Sequence, residues 1–90
     1  MRWALAAGFA FAALVAAPAF AMERCRVTDP TGTPLNVRDA GMTITGTIEN
    51  GRIVLIRRYG RDSRGKPWAL VETPDGEPVG WVYREFISCF

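Results

Sequence analysis

The chain has no histidine, only two cysteines, and after Met22 no window of about twelve residues that keeps an uninterrupted helical period. Each lack excludes something. Without imidazole, two thiolates cannot complete a tetrahedral zinc shell, so no metal is expected. A nucleophilic mechanism needs Ser, Thr, Cys or Lys beside a base, and Ser63, Ser88 and Lys66 sit in no such arrangement. The carboxylates of Asp75 and Glu77 flank Gly76, where a turn accounts for them. Gly60 to Lys66 does not lead into a helix, so it does not form a phosphate cradle. A non-enzyme without cofactor is the expectation. Charge of one sign is also missing: setting Arg2 aside leaves ten basic residues against nine acidic ones. That balance demands no polyanion, and no nucleic-acid partner is expected.

What is present begins with a leader. MRWALAAGFAFAALVAAPAFA has a basic head in Arg2, an apolar run, and small residues Ala19 and Ala21 around bulky Phe20. This is the pattern of a signal peptide cleaved after Ala21, giving a domain over 22–90. An uncleaved membrane anchor is the rival, since roughly 17 to 25 apolar residues span a bilayer. Gly8, Pro18 and the many weakly hydrophobic alanines oppose it, so no membrane span is expected after cleavage. A lipid-modification site is not expected either, because Met22-Glu23-Arg24 precede Cys25 where small residues would be needed.

Export changes how Cys25 and Cys89 read, because the periplasm and the cell exterior permit disulfides. One intramolecular pairing exists, and it would close nearly the whole mature chain. For a loop of about 65 residues the chain-entropy estimate is about 4 kcal/mol. Such a staple matters in a domain that buries only about 60% of its unfolded surface. Two unpaired buried thiols are the alternative.

Turn signals recur at short intervals: Asp29-Pro30-Thr31-Gly32, Asp39-Ala40-Gly41, Asn50-Gly51, Gly60 through Gly65, and Pro74-Asp75-Gly76. Between them lie short segments rich in β-branched and aromatic residues, the pattern of one small all-β domain. Strands are expected at Cys25–Val27, Leu35–Arg38, Ile44–Ile48, Arg52–Tyr59, Pro67–Thr73, Pro78–Tyr83 and Phe86–Cys89. Asn50-Gly51 suits a tight hairpin, and Asp75-Gly76 should join the next pair. A Cys25–Cys89 bond needs the first and last strands side by side. Ends that meet in this way argue for a closed barrel, since closure removes exposed edges.

LNVRDA, ITGTIENGRIVLI, GKPWALV and DGEPVGWVYREFI, in that order, resemble the bacterial SH3-like domain family from about Leu35 to Ile87. The family's pattern is an LNVR opening, a glycine before a central strand, a Trp-x-x-Val strand and a Gly-Trp-Val block followed by one turn and a hydrophobic pair. The resemblance implies a small five-stranded, strongly bent barrel of two packed sheets, with a 3₁₀ turn near Tyr83-Arg84-Glu85-Phe86. The terminal cysteines and the basic loop Arg61 to Lys66 depart from that pattern.

By resemblance to eukaryotic SH3 domains, Trp68, Trp81, Tyr83 and Phe86 fall at positions that include the aromatic lining of a peptide groove, where flat rings give area at little entropic cost. The alternative is that Trp68 and Trp81 only cap the barrel ends and Phe86 fills core. A second candidate is the cationic group Arg57, Arg58, Arg61 and Arg64 with Lys66, able to meet anionic polymers. Against it, alternation sends Arg57 and Arg58 to opposite faces, Asp62 dilutes the loop, and a solvated edge that keeps the hairpin soluble accounts for the charges. Arg38 is expected to pair with a carboxylate such as Asp39 or Glu85. The resemblance then implies an exported, monomeric, non-catalytic binding module for cell-wall material or an envelope protein, in the periplasm or outside the cell. The alternative is a small structural protein that binds anionic envelope polymers through the basic loop.

Overall fold

Short alternating segments bounded by turn residues become seven strands in the computed structural model, which describes residues 22–90. The expected leader, 1–21, lies outside the described residues. The strands are β1 (Glu23–Val27), β2 (Leu35–Arg38), β3 (Ile44–Ile48), β4 (Ile53–Arg61), β5 (Pro67–Glu72), β6 (Pro78–Tyr83) and β7 (Ile87–Cys89). One 3₁₀ turn, Arg84–Phe86, separates β6 from β7. The protein is all-β, and among the described residues no helix is long and apolar enough to cross a membrane.

All ladders are antiparallel and form one sheet in the order β3-β2-β6-β5-β4-β1-β7. This differs from the expected five strands in two packed sheets, and the hydrogen-bonded order is open. The reason lies in β1. It pairs with β4 on one side and β7 on the other, so the last strand extends the sheet beyond β1 and does not return to β3. At the other flank β2 meets β6 through one register pair, Arg38 with Trp81, which makes that seam the thinnest in the sheet.

The sheet is nonetheless strongly curled, because all seven strands contribute to one core. Cys25 and Val27, Leu35 and Val37, Ile48, Val54 and Ile56, Ala69 and Val71, Val82, and Ile87 form a single buried cluster. Their spacing of two residues within a strand is the inward row of a pleated ladder. Each buried Val, Leu or Ile contributes about 1.5–3 kcal/mol relative to exposure. Val79 and Phe86 pack against the cluster while staying half-buried.

Cys25 and Cys89 are joined by a disulfide with Cα atoms 3.9 Å apart. They are register partners on β1 and β7. The backbone bonds Phe90 N–H to Arg24 C=O and Thr28 N–H to Phe86 C=O bracket them at alternate positions. Cys25 and Cys89 therefore occupy a non-hydrogen-bonded pair, where opposed side chains approach most closely.

Asp75-Gly76 connects β5 to β6 as a hairpin, closed by Thr73 N–H to Glu77 C=O and Gly76 N–H to Thr73 C=O. Asn50-Gly51 does not do the same. Its neighbours β3 and β4 are not partners, and only Gly51 takes a positive φ, 88°, where a two-residue hairpin of that sequence would place both residues there. The turn instead carries the chain from the edge strand β3 to β4 in the interior of the sheet. Gly51 N–H donates to Val27 C=O and fixes where β4 starts, while Asn50 receives the Asp29 N–H (2.6 Å) and donates to the Thr33 carbonyl (2.9 Å).

Candidate functional site

Residues opposed in an antiparallel ladder share a face. Ala69 and Val82 are opposed and buried, so Trp68 and Tyr83, the next pair, stand on the other face. Leu70 and Trp81 are opposed on that same outer face. The result is an aromatic surface across β5 and β6 whose rings are half-buried and lie outside the core cluster. Trp68 and Tyr83 meet edge to face with centroids 5.5 Å apart, and Tyr83 meets Phe86 likewise at 5.1 Å. Edge-to-face geometry aligns each ring's positive rim with its neighbour's negative face.

Trp68 is the divide between three clefts. On one side Ala40, Met42, Gly60 and Arg61 join Trp68 and Trp81 around about 130 Å³. Arg61 also lines a second cleft with Tyr59, Pro67 and Arg84. On the far side Leu35, Arg38, Tyr83 and Phe86 surround about 260 Å³ against the other edge of Trp68. Gly60 leaves room for the edge of the Trp81 ring: a Cβ at this position would come within 3.0 Å of the indole Cζ3 and Cη2.

Asp62 holds Trp68 in place. Its Oδ1 accepts the Arg64 and Lys66 N–H groups, both at 2.9 Å, and its Oδ2 accepts the Trp68 indole N–H at 3.0 Å. Asp62 N–H to Lys66 C=O and Gly65 N–H to Asp62 C=O close the same loop. The indole hydrogen bond, followed by the Lys66 amide, holds the Asp62 carboxyl below its ordinary value of 3.8, because these donors favour the charged form. Read in the sequence only as diluting positive charge, Asp62 in fact organises the loop. The signal was available in Asp62-Ser63-Arg64-Gly65, which has the Asp and Gly positions of a β-turn.

Arg38 departs from its expected pairing. Neither Asp39 nor Glu85 meets it: among the described residues the one ion pair is Arg57 with Glu72 at 3.5 Å. Arg38 Nη1 donates to the Met42 carbonyl at 2.9 Å, its guanidinium carbon stands 5.9 Å from the Trp68 ring centroid, and its Nε is buried without a partner. Asp39 is occupied instead with its own loop, accepting from Gly41 N–H (2.9 Å) and Thr43 N–H (3.0 Å). That loop holds Met42 at φ 71°, a left-handed conformation rare for a residue with a side chain, and aims the Met42 carbonyl at Arg38.

The remaining cations do not gather into one patch. Arg57 falls at a bulge between Ile56 and Arg58, which breaks the simple alternation, and reaches the nearly buried Glu72. Arg61 donates to the Gly65 carbonyl at 2.8 Å and is the arginine of the group that lines the Trp68 clefts. Arg57, Arg58 and Arg64 are exposed and line none of the clefts beside Trp68. On the neighbouring edge Tyr59 hydrogen-bonds the Glu23 carboxylate under Arg84, whose guanidinium carbon is 4.6 Å from the phenol centroid.

For metal chemistry the one cluster of suitable atoms among the described residues is Glu23, Cys25 and Cys89. Both sulfurs are in the disulfide, which leaves a single carboxylate and no thiolate to coordinate an ion. Neither protein-family models, nor curated proteins, nor solved structures yield a match to this chain.

Proposed function

We propose that the protein is an exported, disulfide-stapled binding module of the SH3-like kind that acts as a monomer and recognises cell-wall material or an envelope protein through Trp68, Trp81 and Tyr83. The observation that carries this reading is the half-exposed aromatic row on the sheet face opposite the core. Rings on that face lie outside the core cluster, and their half-exposed area offers contact surface to a partner at little entropic cost. Clefts on both sides of Trp68 give a ligand edges to grip, and Arg61 supplies polar contact at the rim. The Cys25–Cys89 bond supports an oxidising compartment, the periplasm or the cell exterior. The LNVR opening and the closing Gly-Trp-Val block support the SH3-like assignment of the curled sheet.

Retention of the oxidised protein on purified peptidoglycan, at low and high salt, tests this reading. Salt-resistant retention that Trp81→Ala abolishes while the circular dichroism spectrum is kept is the expected result. Retention removed by salt alone would transfer the role to Arg58, Arg61 and Arg64, whose exposed charges are screened. No retention at either salt would exclude the wall and leave an envelope protein as the ligand.

A further inference from the structure

Arg38 carries a half-buried positive charge, and among the described residues no carboxylate lies within ion-pairing distance of it. An uncompensated charge withdrawn from water is costly, and proteins ordinarily pair it. Here the fold does the opposite and holds the guanidinium in place by other means. Nη1 is fixed on the Met42 carbonyl and Nε is sealed inside, so the remaining nitrogen, Nη2, is the donor left for a visitor. Arg38 also lines the cleft of about 260 Å³, together with Leu35, Trp68, Tyr83 and Phe86. That combination offers a positive donor in a cleft of mixed lining, apolar at Leu35, Trp68, Tyr83 and Phe86 and polar at Asp29, Thr33 and Asn36, with room for a short side chain.

Resting on the binding-module reading above, we propose that this cleft takes the free C-terminal carboxylate of a short peptide, with Arg38 as its counter-ion and the Trp68–Tyr83–Phe86 wall against the terminal side chain. A charge-assisted Arg–carboxylate contact is among the stronger hydrogen bonds a protein makes. Asp29 also lines the cleft, and its Oδ1 already accepts from the Thr31 amide and hydroxyl. Its negative charge disfavours a bare anion. It suits a peptide, which brings N–H donors next to its carboxylate.

Calorimetric titration of the oxidised protein with N-acetyl-trialanine as the free acid and as the C-terminal amide provides the test. The acid is expected to bind at least about tenfold more tightly than the amide, the range of a charged hydrogen bond. Amide resonances of Arg38 and the indole N–H of Trp68 should shift with the acid. Arg38→Gln should bring the acid's affinity down to that of the amide. Equal binding of the two forms, no binding of either, or acid-specific shifts remote from Arg38 would each overturn the proposal, and none of these needs the variant to fold. Repeating the titration with a terminal D-alanine assigns the source: preference for D points to wall peptides, preference for L to a protein C-terminus. Wall retention with equal acid and amide binding would sink the carboxylate site alone, whereas acid selectivity without wall retention would sink the wall reading alone.

Discussion

The indole N–H of Trp68 donates to the Oδ2 of Asp62 at 3.0 Å, so the most central aromatic of the candidate surface is oriented by a loop carboxylate six residues upstream. Because the same carboxylate receives two loop amides, the ring and the loop share one anchor.

Protonating Asp62 should therefore release both. Its carboxyl sits below the ordinary 3.8, so its contribution is fully present above that pH and is lost as pH falls through the lowered value. The indole N–H resonance of Trp68 is expected to stay constant from neutrality to about pH 4 and to move only below it. In Asp62→Ala the resonance should already be displaced at pH 7, with no further acid step.

Tyr59 should show the opposite sign. The Glu23 hydrogen bond, then burial and the Glu23 charge, raise its phenol above 10.0, with Arg84 pulling the other way. A raised phenol stabilises the fold fully below pH 10.0, and that contribution disappears as pH climbs through the folded value. Phenolate absorbance in Glu23→Ala should appear at lower pH than in the parent protein.

Reduction of the Cys25–Cys89 bond, 64 residues apart in sequence, frees nearly the whole domain. The loop-closure estimate is a loss of about 4 kcal/mol. For a domain of this size each kcal/mol moves the melting temperature by roughly 4–8 °C. Thermal melts with and without reductant should differ by at least about 10 °C, and a smaller difference would place the stability elsewhere.

Two glycines separate stability from surface shape. Gly80 has φ 138°, and a Cβ there would meet Val37 Cγ1 at 2.7 Å and the Arg38 carbonyl oxygen at 3.0 Å. Gly80→Ala, strained and crowded at the thin β2–β6 seam, should cost roughly 2–5 kcal/mol in denaturant unfolding. Gly60→Ala meets only the edge of the Trp81 ring, so it should displace that ring and weaken retention while leaving the unfolding midpoint within roughly 1 kcal/mol of the parent.

Much of this molecule was written locally. Turn residues and period-two alternation placed β2, β3 and β6 with the observed bounds and the other strands within about two residues, because strand boundaries depend on neighbouring side chains. The disulfide followed from there being two cysteines and one possible pairing. The outward placement of Trp68 and Tyr83 also follows from alternation, once Ala69 and Val82 are known to face inward.

Pairing between distant strands was legible only where the two cysteines tied β1 to β7. Asn50-Gly51 has the composition of a hairpin, yet it joins two strands that are not neighbours in the sheet, since a turn's own residues fix its angle and not which ladder each arm joins. That β7 stops beside β1 and does not go on to pair with β3, which leaves the order open, was not readable from either strand's own residues. Arg38 makes the same point at the site. Asp39, its nearest acid in sequence, is drawn into the loop that turns the Met42 carbonyl toward Arg38, while tertiary packing brings the Trp68 ring to it. Sequence alone determined the all-β class, the staple and the rows of inward side chains, because these rest on contacts between near neighbours and on covalent chemistry. Only the tertiary structure decided which of the remaining strands lie side by side and which charge remains without a counter-ion, because both depend on contacts between segments far apart in the chain.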